Sequence, residues 1–136
     1  MPDPILMPCL FYRDAPAAID WLQRAFGFRT LMAVPGPDGT ILHAELAIGS
    51  AVIMLGSAKP AMGWVSALDL PGVNQSIYVA LDDVDAHHAR AVAAGAEITD
   101  ALSDKPYGGR GYGARDPEGH HWSFGGYRPD LSGSAG

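Results

Sequence analysis
The strongest constraint on this chain is that one layout is written twice. In the first half an apolar stretch ends at Asp14, a segment with apolar residues at helical spacing follows, and Gly27 closes it. In the second half QSIYVAL leads to Asp82-Asp83, a second helical segment, and Gly95. Asp14 to Gly27 spans 13 positions, as does Asp82 to Gly95, for an offset of 68. An Asp before such a segment can accept from the first free N–H groups of a helix, and a Gly after it can take the left-handed conformation that ends one. Each half then continues in strands. ILHAELAI and AVIML are joined at Gly49-Ser50, and the last two strands meet at Asp116-Pro117-Glu118-Gly119, whose composition matches a type I turn. These turns correspond at an offset of 69, so one inserted residue reconciles the halves. Each half therefore reads strand, helix, three strands, and a repeat of this kind settles the architecture before local detail does.

The expected elements follow in order. Residues 4–13 suit a strand, and 15–26 suit a helix whose buried stripe is Ala18, Trp21, Leu22, Ala25 and Phe26. A strand over 28–34, a Pro-Gly turn and the Gly49-Ser50 hairpin complete a first module, 4–56. Residues 57–73 lack periodicity and act as a linker, with Met62 and Trp64 either packed under their own loop or lining a cavity. The second module, 74–127, has a helix with a buried stripe of Ala86, Ala89, Val92 and Ala93 and a strand over 96–102. The tail, 128–136, is expected to be flexible. The 136 residues suffice for one domain and not for two independent cores. The expected class is α+β: two βαβββ modules, each a curved mixed sheet with one helix packed on it.

Bulk properties exclude several roles. A net charge of −6 with Lys and Arg scattered singly offers nucleic acid no basic stripe. No apolar run approaches the roughly 20 residues of a membrane span. The N-terminus carries an acid and no Lys or Arg before its apolar residues, unlike a secretory signal. A single cysteine, Cys9, permits no internal disulfide and fits a reducing compartment, so the expected location is the cytoplasm.

The two Asp-helix-Gly units and the DPEGHHW turn resemble the vicinal oxygen chelate superfamily, which includes glyoxalase I, extradiol dioxygenases and bleomycin-resistance proteins. The resemblance covers about residues 4 to 127. It implies that each module curls its strands into a half-open cup and that paired modules, usually from two chains of a homodimer, enclose a cavity. In the metal-dependent relatives four strand positions hold the ion. Counting from the helix starts and hairpin turns puts those positions at Met7, Ser76, Met54 and Ser123. Divalent metals in such sites need imidazole or carboxylate donors, which thioethers and alcohols do not replace. No uniform slip of one residue produces three ligands.

Other polar groups leave alternatives open. His43 and Glu45 fall on the cup face of the third strand, where they could belong to a shifted metal or catalytic site, recognise a polar ligand group, or face solvent. The repeat offset puts Tyr112 and Ala114 in the matching places of the second module. His87-His88 reads as helix surface, Cys9 as a small apolar residue without an activator, and at most one of His120 and His121 can face a cavity. GGRGYG lacks the Lys-Ser/Thr and the helix of a phosphate loop, so Tyr107, Arg110 and Tyr112 are placed near the cavity mouth.

The expected site has an apolar floor of Met7, Cys9, Phe11, Val52 and Met54. Trp64, Tyr78 and Tyr112 are available for stacking, Tyr107 and Arg110 stand at the rim, and His43, Glu45, Ser76 and Ser123 offer hydrogen bonds. By resemblance the expected function is drug binding of the bleomycin-resistance type, removing an aromatic or amphipathic natural product without converting it. No cofactor, nucleic acid or membrane partner is expected, and the protein is expected to be a homodimer. The alternative is a metal-dependent lyase, isomerase or dioxygenase with ligands from His43, Glu45 and His121. A third possibility is a fold kept only as an interaction module.

Overall fold
The computed structural model describes residues 2–133. Strand β1 (Cys9–Tyr12) leads to helix α1 (Ala15–Phe26), then β2 (Arg29–Pro35), β3 (Ile41–Ile48) and β4 (Ala51–Ser57). After two short 3-10 turns, β5 (Ser76–Ala80), α2 (Val84–Ala93), β6 (Glu97–Asp104), β7 (Arg110–Arg115) and β8 (His121–Gly125) repeat the order. Each half forms its own four-stranded mixed sheet, ordered β1-β4-β3-β2 and β5-β8-β7-β6, so the α+β architecture of two βαβββ modules is present. In both, the first strand pairs parallel with the last, as a helical crossover requires, and the remaining pairs are antiparallel. Strand β1 is shorter than the apolar stretch around it. Met1 and the last tail residues, 134–136, lie outside the described residues.

Local chemistry explains the helices. The Asp14 side chain accepts from the Ala17 N–H at 3.1 Å, Pro16 sits in the first turn, and Gly27 closes α1 in the left-handed region at φ 81°. Arg90 of α2 donates from Nε and Nη2 to the carbonyls of Arg24 and Gln23, both at 3.0 Å, so one helix satisfies the free end of the other. Asp83, not Asp82, caps α2, accepting from Ala86 N at 3.0 Å. The face of α2 that packs inward is also displaced from expectation. Val84 and Ala91 are buried, His87 and His88 are half-buried, and Ala86, Ala89, Val92 and Ala93 are exposed. Ala86, Ala89 and Ala93 do share one face, but alanine costs little to expose, and the face that packs inward is the opposite one, Val84, His87, His88 and Ala91. The inward His87 is tolerated because it is bonded on both sides.

The core is aromatic and continuous across the halves, with Leu10, Tyr12, Leu22, Phe26, Leu46 and Leu55 meeting Tyr112, Trp122 and Phe124. The turn after β7 clamps the modules together. Asp116 Oδ2 accepts from the Tyr12 hydroxyl at 2.6 Å and from Trp122 Nε1 at 3.1 Å, while Oδ1 holds the turn through Glu118 N and His120 N. Burial, followed by the nearby Asp116 charge, holds the Tyr12 phenol well above its ordinary range. Glu118 reaches into the other module: Oε1 accepts from Arg13 N at 2.6 Å and from the buried Ser66 hydroxyl at 2.5 Å, and Oε2 accepts from Asp14 N at 2.8 Å. Arg13 and Asp69 add an exposed ion pair beside it. The interhalf segment is thus pinned at Ser66 rather than loosely spanning the halves.

Candidate functional site
Strand alternation sorts the first sheet into two faces. Leu10, Tyr12, Ala44, Leu46, Ile53 and Leu55 are buried under α1. The opposite face carries Cys9 and Phe11 from β1, His43 and Glu45 from β3, and Val52 and Met54 from β4, as the pattern predicts. The register lines up Cys9 with Met54, Met54 with Glu45, and Glu45 with Met32. Cys9 is exposed on this face rather than buried. His43 Nε2 lies 2.9 Å from Glu45 Oε2, with both side chains partly open to solvent.

Trp64 does not pack under its own loop. A bridge between Lys59 and Trp64 closes the loop back on itself, and the indole stacks on Phe11 with ring centroids 4.8 Å apart and planes 17° from parallel. The outer part of the indole remains accessible at 52% exposure, which leaves aromatic surface for a ligand. A cleft of about 740 Å³ runs along this pair, lined also by Cys9, Leu70, Val73 and His120. Met62 points away into solvent at 70% exposure.

The second sheet presents Ser76 and Tyr78 from β5 and His121 and Ser123 from β8 on the face away from α2. Ser76 stands opposite His121, and Tyr78 opposite Ser123. The Tyr78 hydroxyl donates to the Tyr127 carbonyl at 2.7 Å. Where the two sheets approach, a cavity of about 280 Å³ is lined by Met7, Cys9, Ser76, His120 and His121. A wider cleft of about 630 Å³ is bordered by Met7, Val52, Tyr78 and Arg128.

Three expected site residues, Tyr112, Arg110 and Tyr107, lie away from these cavities. Tyr112 and Ala114 are 1% and 0% exposed on the helix side of their sheet, because β7 follows the offset of 68 that aligns them with Ala44 and Leu46, not with His43 and Glu45. The Tyr112 hydroxyl donates to His87 Nδ1 at 2.6 Å, since His87 Nε2 must give its hydrogen to the Phe26 carbonyl at 2.8 Å. Burial pushes the Tyr112 phenol up and, outweighing the Phe26 bond, pulls His87 down. His87 therefore joins α1, α2 and β7 and is not a surface residue. Arg110 is also on the helix side, paired with Asp85 at 2.9 Å and Asp104 at 3.2 Å. Tyr107 is exposed and meets Tyr127 edge-on at 5.5 Å. Lys59 lines the small cavity beside His43, and nothing in the sequence marks a lysine in a non-periodic linker as facing a site.

The donor chemistry does not fit the divalent ion of the metal-dependent relatives. Met7, Met54, Ser76 and Ser123 supply two thioethers and two hydroxyls. Among the described residues no three His, Cys, Asp or Glu side chains converge as a metal site. His43 and His121 line different cavities, on different sheets. No described helix is long and apolar enough to cross a membrane.

The comparisons with known proteins agree with this architecture. An uncharacterised protein of Mycobacterium tuberculosis is 40% identical over 126 residues, covering 90% of this chain and 74% of that one. The crystal structure of TioX from Micromonospora sp. ML1 has 37% identity and a TM-score of 0.73, covering 94% of this chain and 99% of that one. A glyoxalase/bleomycin resistance protein from Streptomyces sp. CB03234 has 25% identity and a TM-score of 0.65, covering 88% and 96%. The family model described as Glyoxalase/Bleomycin resistance protein/Dioxygenase superfamily matches residues 4–124, and with the paired βαβββ modules this places the chain in that superfamily.

Proposed function
We propose that the protein binds an aromatic or amphipathic natural product, an antibiotic among them, and confers resistance by sequestering it without metal or chemical conversion. The observation that carries this is the stacked Phe11–Trp64 pair, half exposed along a cleft of about 740 Å³. Aromatic surface supplies affinity to flat molecules, and polar groups fix orientation: Gln75 and His120 on this cleft, with His43 and Glu45 farther along the same sheet face. The thioethers and hydroxyls at the four counted positions support a binding role over Lewis-acid chemistry. The similarity to a glyoxalase/bleomycin resistance protein of Streptomyces supports the ligand class.

The protein works as a homodimer in the cytoplasm on this reading. Met7, Met32, Trp64 and Tyr78 expose apolar surface on the cup faces of a single chain, and a second copy would cover it. The test is native mass spectrometry and calorimetry of untagged protein against a natural-product panel, with metal analysis of the same sample. Tight binding of a compound recovered unchanged, by metal-poor protein, is the expected result. Stoichiometric zinc, nickel, manganese or iron, or turnover of the bound compound, would refute it.

A further inference from the structure
Two rows of side chains cross the open face of the first sheet. The first is Cys9, Met54, Glu45 and Met32. In the second, Phe11 stands opposite Gly56, and His43, two residues before Glu45 on β3, continues the line. Gly56 brings no side chain to this row, and the Leu42 carbonyl oxygen lies 3.1 Å from where its Cβ would stand. A cavity of about 180 Å³ opens beside Gly56, bounded by Phe11, Gly56, His43, Met54, Cys9 and Lys59. An apolar void of about 150 Å³ holds a benzene ring in other proteins. This cavity has the size of one six-membered ring.

One wall is polar in a defined way. A carboxylate can only accept, so the 2.9 Å contact between His43 Nε2 and Glu45 Oε2 puts the hydrogen of the neutral imidazole on Nε2. In that neutral form Nδ1 carries a lone pair, and among the described residues no hydrogen bond reaches it. The wall asks its occupant for a donor.

We infer that the cavity beside Gly56, between Phe11 and the His43–Glu45 pair, is a one-ring subsite for an aromatic ring bearing a hydrogen-bond donor, a phenol hydroxyl or ring N–H. This rests on the binding function proposed above and names the chemical class that the site selects. The selected molecule places its donor on His43 Nδ1 and its ring against Phe11 and Met54.

The probes are 2-naphthol and 2-methoxynaphthalene, which share a ring system and differ in the donor, titrated by calorimetry into the wild type and into His43→Leu. The wild type is expected to favour 2-naphthol about 5- to 10-fold, the value of one hydrogen bond. In His43→Leu the two probes should bind alike, with the melting temperature unchanged. Equal affinities in the wild type, or a preference that survives His43→Leu, would overturn the subsite. So would failure of both probes to bind at about 1 mM. The proposed function is judged separately, by the natural-product panel and Trp64→Ala, and stands if those succeed while the naphthalene pair is not discriminated.

Discussion

Replacing Glu118 by Gln tests whether the turn between β7 and β8 holds the two modules together. The substitution keeps shape and volume, so it opens no cavity. In the wild type one carboxylate oxygen takes Arg13 N at 2.6 Å and the Ser66 hydroxyl at 2.5 Å, and the other takes Asp14 N at 2.8 Å. The amide can keep its oxygen toward the first two donors, but its NH₂ then faces the Asp14 N–H, donor against donor. Glu118 is 7% exposed, so little water reaches the orphaned group. Losing one charge-assisted bond and weakening two others costs about 2–4 kcal/mol. For a chain of this length each kcal/mol lowers the melting temperature by about 3–4 °C, so a drop of about 6–15 °C is expected by calorimetry. Urea unfolding should show a lower midpoint with the slope unchanged. Glu97→Gln, which touches only an exposed 3.5 Å contact to Arg115, is the control and should shift melting little. A drop below about 2 °C for Glu118→Gln would show that these bonds do not hold the modules together.

Further expectations follow from particular contacts. Gly27→Val forces a β-branched residue to φ 81° and sets its Cβ 3.3 Å from Arg90 Nη1, which should cost about 2 kcal/mol or more in a urea titration; an unchanged midpoint refutes the strain. His87 has its folded-state pKa lowered, so its contribution to stability is complete above the unfolded value of about 6.5 and is lost as pH falls below it. The melting-temperature gap between the wild type and His87→Gln should therefore narrow as pH falls from about 7.5 to about 5, and a constant gap refutes the assignment. Tyr112→Ala removes a core ring and should cost about 3–5 kcal/mol, whereas Trp64→Ala should leave melting nearly intact and weaken ligand binding. Calorimetry that found Tyr112→Ala fully stable, or unchanged affinity in Trp64→Ala, would contradict these placements.

The amino-acid sequence by itself determined the duplicated order of elements, because that order rests on local chemistry: Asp14 caps a helix, Gly27 turns out of one, and alternation assigns His43 and Glu45 to one face of β3. It also determined that the four counted positions, Met7, Met54, Ser76 and Ser123, carry thioethers and hydroxyls, since residue type alone sets donor character. The tertiary structure decided what local chemistry does not carry. An offset uncertain by one residue reverses every side chain on a strand, so only the observed pairing could place Tyr112 and Ala114 in the core. An alanine stripe on the exposed face of α2 hid its inward face, which His87 shows only through partners 25 and 61 residues away, Tyr112 and Phe26. The stacking of Trp64 on Phe11 and the reach of Glu118 to Arg13, Asp14 and Ser66 likewise join distant segments, and contacts of that kind exist only once the chain has closed on itself.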